Sequence, residues 1–248
     1  MEKNEFHIPK NVVPLPSKGK LYPDNIDSVE LEYMTAEDED ILATPSLLQN
    51  GNVLDVLLKK KMINCPLKPS DLILGDKNRL LLQLRADSYG QYYPVSVTCP
   101  FTGNNFEHNV DLVQLYIKEL DVDPDEKMLF TYTLPLTKDV VKFKLLTSGE
   151  MDKVLRYIKD NKQYNNGIET NITSLLRESI KSINGKDDLE YIHKYVKVMK
   201  AGDSIALRKY IDKISPTVDN TVTVISPYTD KKFNAKISFG VDFFYPSI

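Results

Sequence analysis

Val97-Thr98-Cys99-Pro100-Phe101-Thr102-Gly103-Asn104-Asn105-Phe106 and Val224-Ile225-Ser226-Pro227-Tyr228-Thr229-Asp230-Lys231-Lys232-Phe233 are the two stretches on which the reading of the fold turns. Side by side they agree in Val, Pro, Thr and Phe and set Phe101 against Tyr228. The match continues beyond the turns, with Val110 and Leu112 falling on Ile237 and Phe239. Each unit therefore reads as strand, tight turn, strand, with the same alternation after the turn. Pro and Thr are common at turns, so two independent Pro-aromatic-Thr turns are the plainer alternative. If the pair is one repeat, the hairpins are neighbours in space and the chain between them is an insertion.

The first and fourth turn positions, Cys99 with Thr102 and Ser226 with Thr229, have the spacing at which the knuckles of a zinc ribbon present paired thiolates. Three of these four positions carry hydroxyls, which are poor zinc ligands at neutral pH, and His108 would rescue such a site only in part. The spacing therefore predicts a metal-free, zinc-ribbon-like element without a cofactor. It would be held by Ser and Thr hydrogen bonds and by the packing of Phe101, Phe106, Tyr228 and Phe233.

Working outward, residues 1–27 carry Pro9, Pro14, Pro16 and Pro23 with little apolar periodicity and predict an extended proline-rich arm. It lies along a partner or packs on its own domain. Residues 28–90 predict a mostly helical core. A strand at 29–33 precedes a helix capped by Thr35 and Asp38, whose acidic first turn Glu37-Asp38-Glu39-Asp40 reads as solvated. A second helix ends in Lys59-Lys60-Lys61, and a third spans 76–89 and stops at Gly90. Residues 91–146 and 216–248 predict the β-hairpin region, with further strands at 128–133 and 140–146.

Residues 147–215 predict an inserted helical subdomain of four helices. Thr147 and Glu150 cap the first; Ile168, Ile172, Leu175, Leu176, Ile180 and Ile183 stripe the second, between Asn165-Asn166-Gly167 and Asn184-Gly185. The third and fourth run over 187–199 and 203–214. The expected class is α+β.

The chain has 248 residues, 42% apolar and 27% charged, which allows one large domain or two small ones. A net charge of −3 argues against tight nucleic-acid binding, leaving a nucleic-acid-binding ribbon as the alternative function. No signal sequence and no apolar run near the roughly 20 residues that cross a bilayer is visible, so a soluble cytoplasmic protein is expected. Cys65 and Cys99 are too few for a disulfide framework. No phosphate-binding glycine loop, Gly-x-Ser-x-Gly elbow or His-Glu-x-x-His occurs, and the histidines are His7, His108 and His193. Asp187-Asp188 reads as a cap and Asp123 with Asp125 as an acidic loop. An uncharacterised hydrolase is the weaker alternative.

Val13-Pro14-Leu15-Pro16-Ser17-Lys18-Gly19-Lys20-Leu21-Tyr22-Pro23, Met34-Thr35-Ala36-Glu37-Asp38-Glu39-Asp40-Ile41-Leu42, Leu72-Ile73-Leu74-Gly75-Asp76-Lys77-Asn78 and Gly240-Val241-Asp242-Phe243-Phe244-Tyr245-Pro246 resemble the baseplate hub subunits and hub-assembly proteins of T-even-like contractile-tailed phages. Several members of that family carry Cys-Pro-x-Cys knuckles where this chain has Cys99 to Thr102 and Ser226 to Thr229. The resemblance implies a non-enzymatic viral tail protein, permanent or chaperone-like, whose partners are other baseplate and hub proteins rather than nucleic acid or membrane. It implies a place in the host cytoplasm during assembly and in the virion tail baseplate. The contact candidates are Pro14, Pro16, Leu21 and Tyr22 in the arm and Phe243, Phe244 and Tyr245 near the end. Burial under the N-terminal core is the alternative fate of those last aromatics.

Overall fold

The structure, a computed structural model, describes residues 7–161 and 170–244. The first lobe is built from β1 (Lys10–Pro14), β2 (Ser28–Glu32), α1 (Ala36–Ala43), α2 (Pro45–Asn50), α3 (Val53–Lys61), β3 (Met62–Ile63) and α4 (Leu74–Tyr89). β2 is the centre of an antiparallel sheet, with β1 and β3 on its two edges. Alternation along β2 buries Val29 and Leu31, which join Val13, Leu57, Leu58, Leu80, Leu81 and Leu84 in one core.

The described part of the 1–27 segment is not a free arm. Pro14 ends an edge strand, a position where its missing N–H costs no ladder bond, and Val13, Leu15, Pro16, Ser17 and Tyr22 are buried. Gly19, at φ +73°, turns so closely that a Cβ would sit 2.5 Å from the Asn25 carbonyl oxygen.

Thr35 and Asp38 form a capping box on α1, but the acidic first turn is not wholly solvated. Asp38 is buried and pairs with the buried Lys61 at 2.7 Å and with Lys60 at 2.9 Å. Burial opposes its charge, yet the two lysines and the Thr35 N–H prevail and hold the carboxyl at about 2.

After Gly90 the first hairpin, β4 (Tyr92–Thr98) and β5 (Asn105–Asp111), pairs Val97 with Phe106. A short strand, β6 (Ile117–Lys118), leads into a second lobe. That lobe contains β7 (Phe130–Thr133), β8 (Val140–Phe143), α5 (Ser148–Asn161), α6 (Asn171–Ser179), β9 (Ile180–Ile183), α7 (Leu189–Val198) and α8 (Ala201–Ile214). β10 (Thr217–Val218) pairs with β6, and the second hairpin, β11 (Thr221–Ile225) with β12 (Lys232–Lys236), pairs Val224 with Phe233.

Two corrections concern the second lobe. The second predicted helix stops at Ser179; Ile180 to Ile183 form β9 on β8, with a register shift at Lys142/Phe143. Ser179 fixes the switch, donating its hydroxyl to the Lys144 carbonyl at 2.6 Å and accepting from the Lys144 N–H at 3.0 Å. β7 and β8 likewise belong to the inserted lobe rather than to the hairpins. Leu120, Phe130, Leu134, Val141 and Phe143 share a core with Leu176, Ile180, Ile192, Val196 and Leu207. The insertion thus begins near residue 120 instead of 147. Ile168 and Asn165-Asn166-Gly167 lie outside the described residues.

The lobes meet where the insertion enters and leaves. The Ser148 N–H donates to the Leu72 carbonyl at 2.7 Å and its hydroxyl to the Pro69 carbonyl at 3.0 Å. α4 begins so close to residue 216 that a Cβ on Gly75 would lie 2.0 Å from the Pro216 carbonyl oxygen. Leu21 and Leu145 pack against both cores.

Candidate functional site at the hairpin clasp and lobe junction

The two hairpin turns are built alike. The Cys99 N–H donates to the Asn104 carbonyl and the Gly103 N–H to the Cys99 carbonyl, both at 2.9 Å. In the other turn the Ser226 N–H donates to the Lys231 carbonyl and the Asp230 N–H to the Ser226 carbonyl, both at 3.0 Å. The structure brings the turns together: Cys99 Sγ and Ser226 Oγ are both fully buried and share a hydrogen bond of 3.1 Å, although 127 residues separate them. Around them Phe106 meets Tyr228 and Phe233 edge-on, Phe101 meets Phe233 likewise, and the Tyr228 hydroxyl donates to the Asn105 carbonyl at 3.0 Å.

Burial resists ionisation of the Cys99 thiol. Hydrogen bonds from Ser226, Thr102 and the backbone N–H groups of Phe101 and Thr102 outweigh it and bring the pKa down to about 7. Thr102 Oγ1 also accepts from the Asn104 N–H at 3.3 Å, whereas Thr229 Oγ1 is buried without a hydrogen-bond partner among the described residues. No group of three or more His, Cys, Asp or Glu that could hold a metal ion occurs among the described residues. The set at this spot offers one thiol and three hydroxyls, a poor match to the N and S donors zinc prefers.

The other sequence candidates fall elsewhere. Pro14 is exposed on the β1 edge, Leu21 is half-buried between the lobes, and Pro16 and Tyr22 are inside the first lobe. The Tyr22 hydroxyl donates to Asp76 Oδ2 at 2.6 Å and accepts from the Ile73 N–H at 3.0 Å. Burial, with the neighbouring Asp76 carboxylate, pushes its pKa up. Phe243 and Phe244 are fully buried in the first core, while Tyr245 lies outside the described residues. The Phe243 carbonyl accepts from Arg85 Nε at 3.0 Å, and its ring meets Tyr93 edge-on at 4.9 Å.

Sequence reasoning missed a cleft of about 560 Å³ at the lobe junction. Ile73 and Leu74 form one wall, and Met151, Leu176 and Ile211 the other. Arg208 also lines it, with a buried Nε that has no hydrogen-bond partner among the described residues. The α8 periodicity marks Leu207 and Ile211 as apolar but carries no sign that α5, α6 and α8 leave space beside α4.

Among the described residues no helix is long and apolar enough to cross a membrane. No curated protein and no solved structure matches the chain. A family model described as T4 bacteriophage base plate protein does match, over residues 8–244, which takes in both lobes, both hairpins and the Val241–Phe244 turn with its buried Phe243 and Phe244. The chain therefore belongs to the T4 bacteriophage base plate protein family.

Proposed function

We propose that the chain is a non-enzymatic hub component of the tail baseplate, as a hub subunit or as a hub-assembly factor, and that it acts through contacts with other baseplate proteins. The observation carrying this reading is the apolar junction cleft. Its walls come from both lobes, its volume of about 560 Å³ would accept large side chains of a partner, and Arg208 adds a cationic side chain to its lining. The family match supports the setting. In this reading the clasp at Cys99 and Ser226 is a metal-free, zinc-ribbon-like frame that binds no cofactor. The chain works in the host cytoplasm during assembly, and as a hub subunit it stays in the tail baseplate.

Affinity capture of the chain from infected cells, beside mass spectrometry of purified particles, tests this. Hub proteins in the capture together with presence in particles mark a subunit, and hub proteins in the capture with absence from particles mark an assembly factor. No baseplate protein in either sample overturns the proposal.

A further inference from the structure

A groove of about 330 Å³ runs between β4 and β12, lined by residues 95–98 and 233–237 together with Pro100 and, from β11, Val222. Successive side chains of a strand point to opposite faces, so a groove lying over a sheet face would be lined by alternate residues. Unbroken runs on both walls place this groove along two strand edges, and Val222, cross-strand from Ala235, adds part of the β11–β12 face. The bonds at the hairpin ends fix which backbone groups point into it. The Cys99 N–H bonds to the Asn104 carbonyl and the Leu112 N–H to the Gln91 carbonyl, so the odd-numbered residues of β4 bond β5. Residues 94, 96 and 98 then direct their backbone groups away from β5. Pro94, which has no N–H to donate, fits that outward set.

In the second hairpin the Ser226 N–H bonds to the Lys231 carbonyl and the Ile237 N–H to the Asn220 carbonyl. By the same alternation Lys232, Asn234 and Lys236 turn their backbone groups away from β11. Among the described residues, no backbone bond outside the hairpin ladders reaches Ser96, Thr98, Asn234 or Lys236. The groove therefore has unpaired donors and acceptors on both walls, at strand spacing along each.

We propose that this groove accepts an extended segment of another baseplate protein as a strand between β4 and β12. The four edge residues of β4 span about 13 Å, enough for about four residues of an incoming strand. Lys236, exposed and lining the groove, selects a segment that carries at least one acidic side chain, with Lys232 exposed on the same strand. The inserted strand joins two isolated two-stranded sheets into one of five strands. The proposal rests on the reading that the chain acts through protein contacts, and it names where one such contact forms.

Backbone amide exchange on the full chain tests it, followed by NMR with a synthetic heptapeptide probe, acetyl-Thr-Glu-Val-Thr-Val-Glu-Thr-amide. Saturating peptide is expected to slow exchange at Ser96, Thr98, Asn234 and Lys236 by about tenfold or more. A peptide with Gln in place of Glu is expected to bind several-fold more weakly. The double variant S96P/N234P removes only outward N–H groups, as Pro94 already does, and is expected to abolish the protection that S96A/N234A keeps. Unchanged exchange at these four amides with peptide overturns the proposal, whether or not the proline variant folds. Protection that grows with protein concentration alone also overturns it, since a second copy would then fill the groove. A complex with baseplate proteins in which these amides still exchange freely sinks the groove and leaves the assembly role intact. Absence of any such complex sinks the assembly role, and the peptide result still decides the groove.

Discussion

Asp76 is fully buried, and its carboxylate accepts from the Ser17 N–H at 2.9 Å and from the Tyr22 hydroxyl. Burial drives its pKa up, and those hydrogen bonds only partly oppose the rise. The native state thus holds this proton more tightly than the unfolded chain, so its contribution to stability falls as pH rises from the ordinary carboxylate range through the raised value. Urea unfolding between pH 4 and pH 8 is expected to show that decline, and Asp76→Asn is expected to flatten it; an equal slope in the variant would remove Asp76 from the account. Asp38 works in the opposite sense, because its carboxyl is held at about 2 and its contribution is lost as pH falls below about 4. The capping role of Asp38 was legible from Thr35 three residues earlier. Its burial was not, since Lys61 is 23 residues away and only the packing of α3 on α1 brings it near.

Among the elements, the junction at Gly75 depends on close approach of backbones. Gly75→Ala would put a methyl group 2.0 Å from the Pro216 oxygen, forcing α4 and the exit of the insertion apart. A loss of about 1–3 kcal/mol is expected in chemical denaturation, and a stability equal to wild type would mean the lobes shift freely there. The hairpins were legible because a repeated turn brings its own register, and α5 was legible because Thr147 and Glu150 cap each other locally. β9 was not: Ile172, Leu176, Ile180 and Ile183 are spaced three and four apart, which suits a helix. The open edge of β8, together with the preference of Ile for extended backbone, decides otherwise. The buried Pro16 and Tyr22 teach the same lesson, since a proline-rich stretch reads as an arm until β2 is there to pair with it.

For the molecule as a whole, the last described turn, Val241–Phe244, is a structural keystone. It fills the first core with Phe243 and Phe244 and supplies the carbonyl that Arg85 Nε, itself buried, bonds. Losing one buried Phe costs about 3–5 kcal/mol, so truncation after Gly240 approaches or exceeds the whole stability of a typical domain. The truncated chain is expected to lose its cooperative thermal transition; a folded truncate that fails only to join baseplate proteins would instead make this segment an anchor.

The first core draws Val13 and Phe244 into the same cluster, and the chain leaves it after Leu115 to return at Val218. A ribosome adding about 5–20 residues per second spends roughly 5–20 s on the intervening stretch. Throughout that interval the nascent first lobe waits with an unsealed apolar face, while the second lobe can close on its own residues. Translation order therefore makes the inserted lobe the earlier of the two to mature. The half-made first lobe is the period in the protein's synthesis when sticking to neighbours is the greatest hazard.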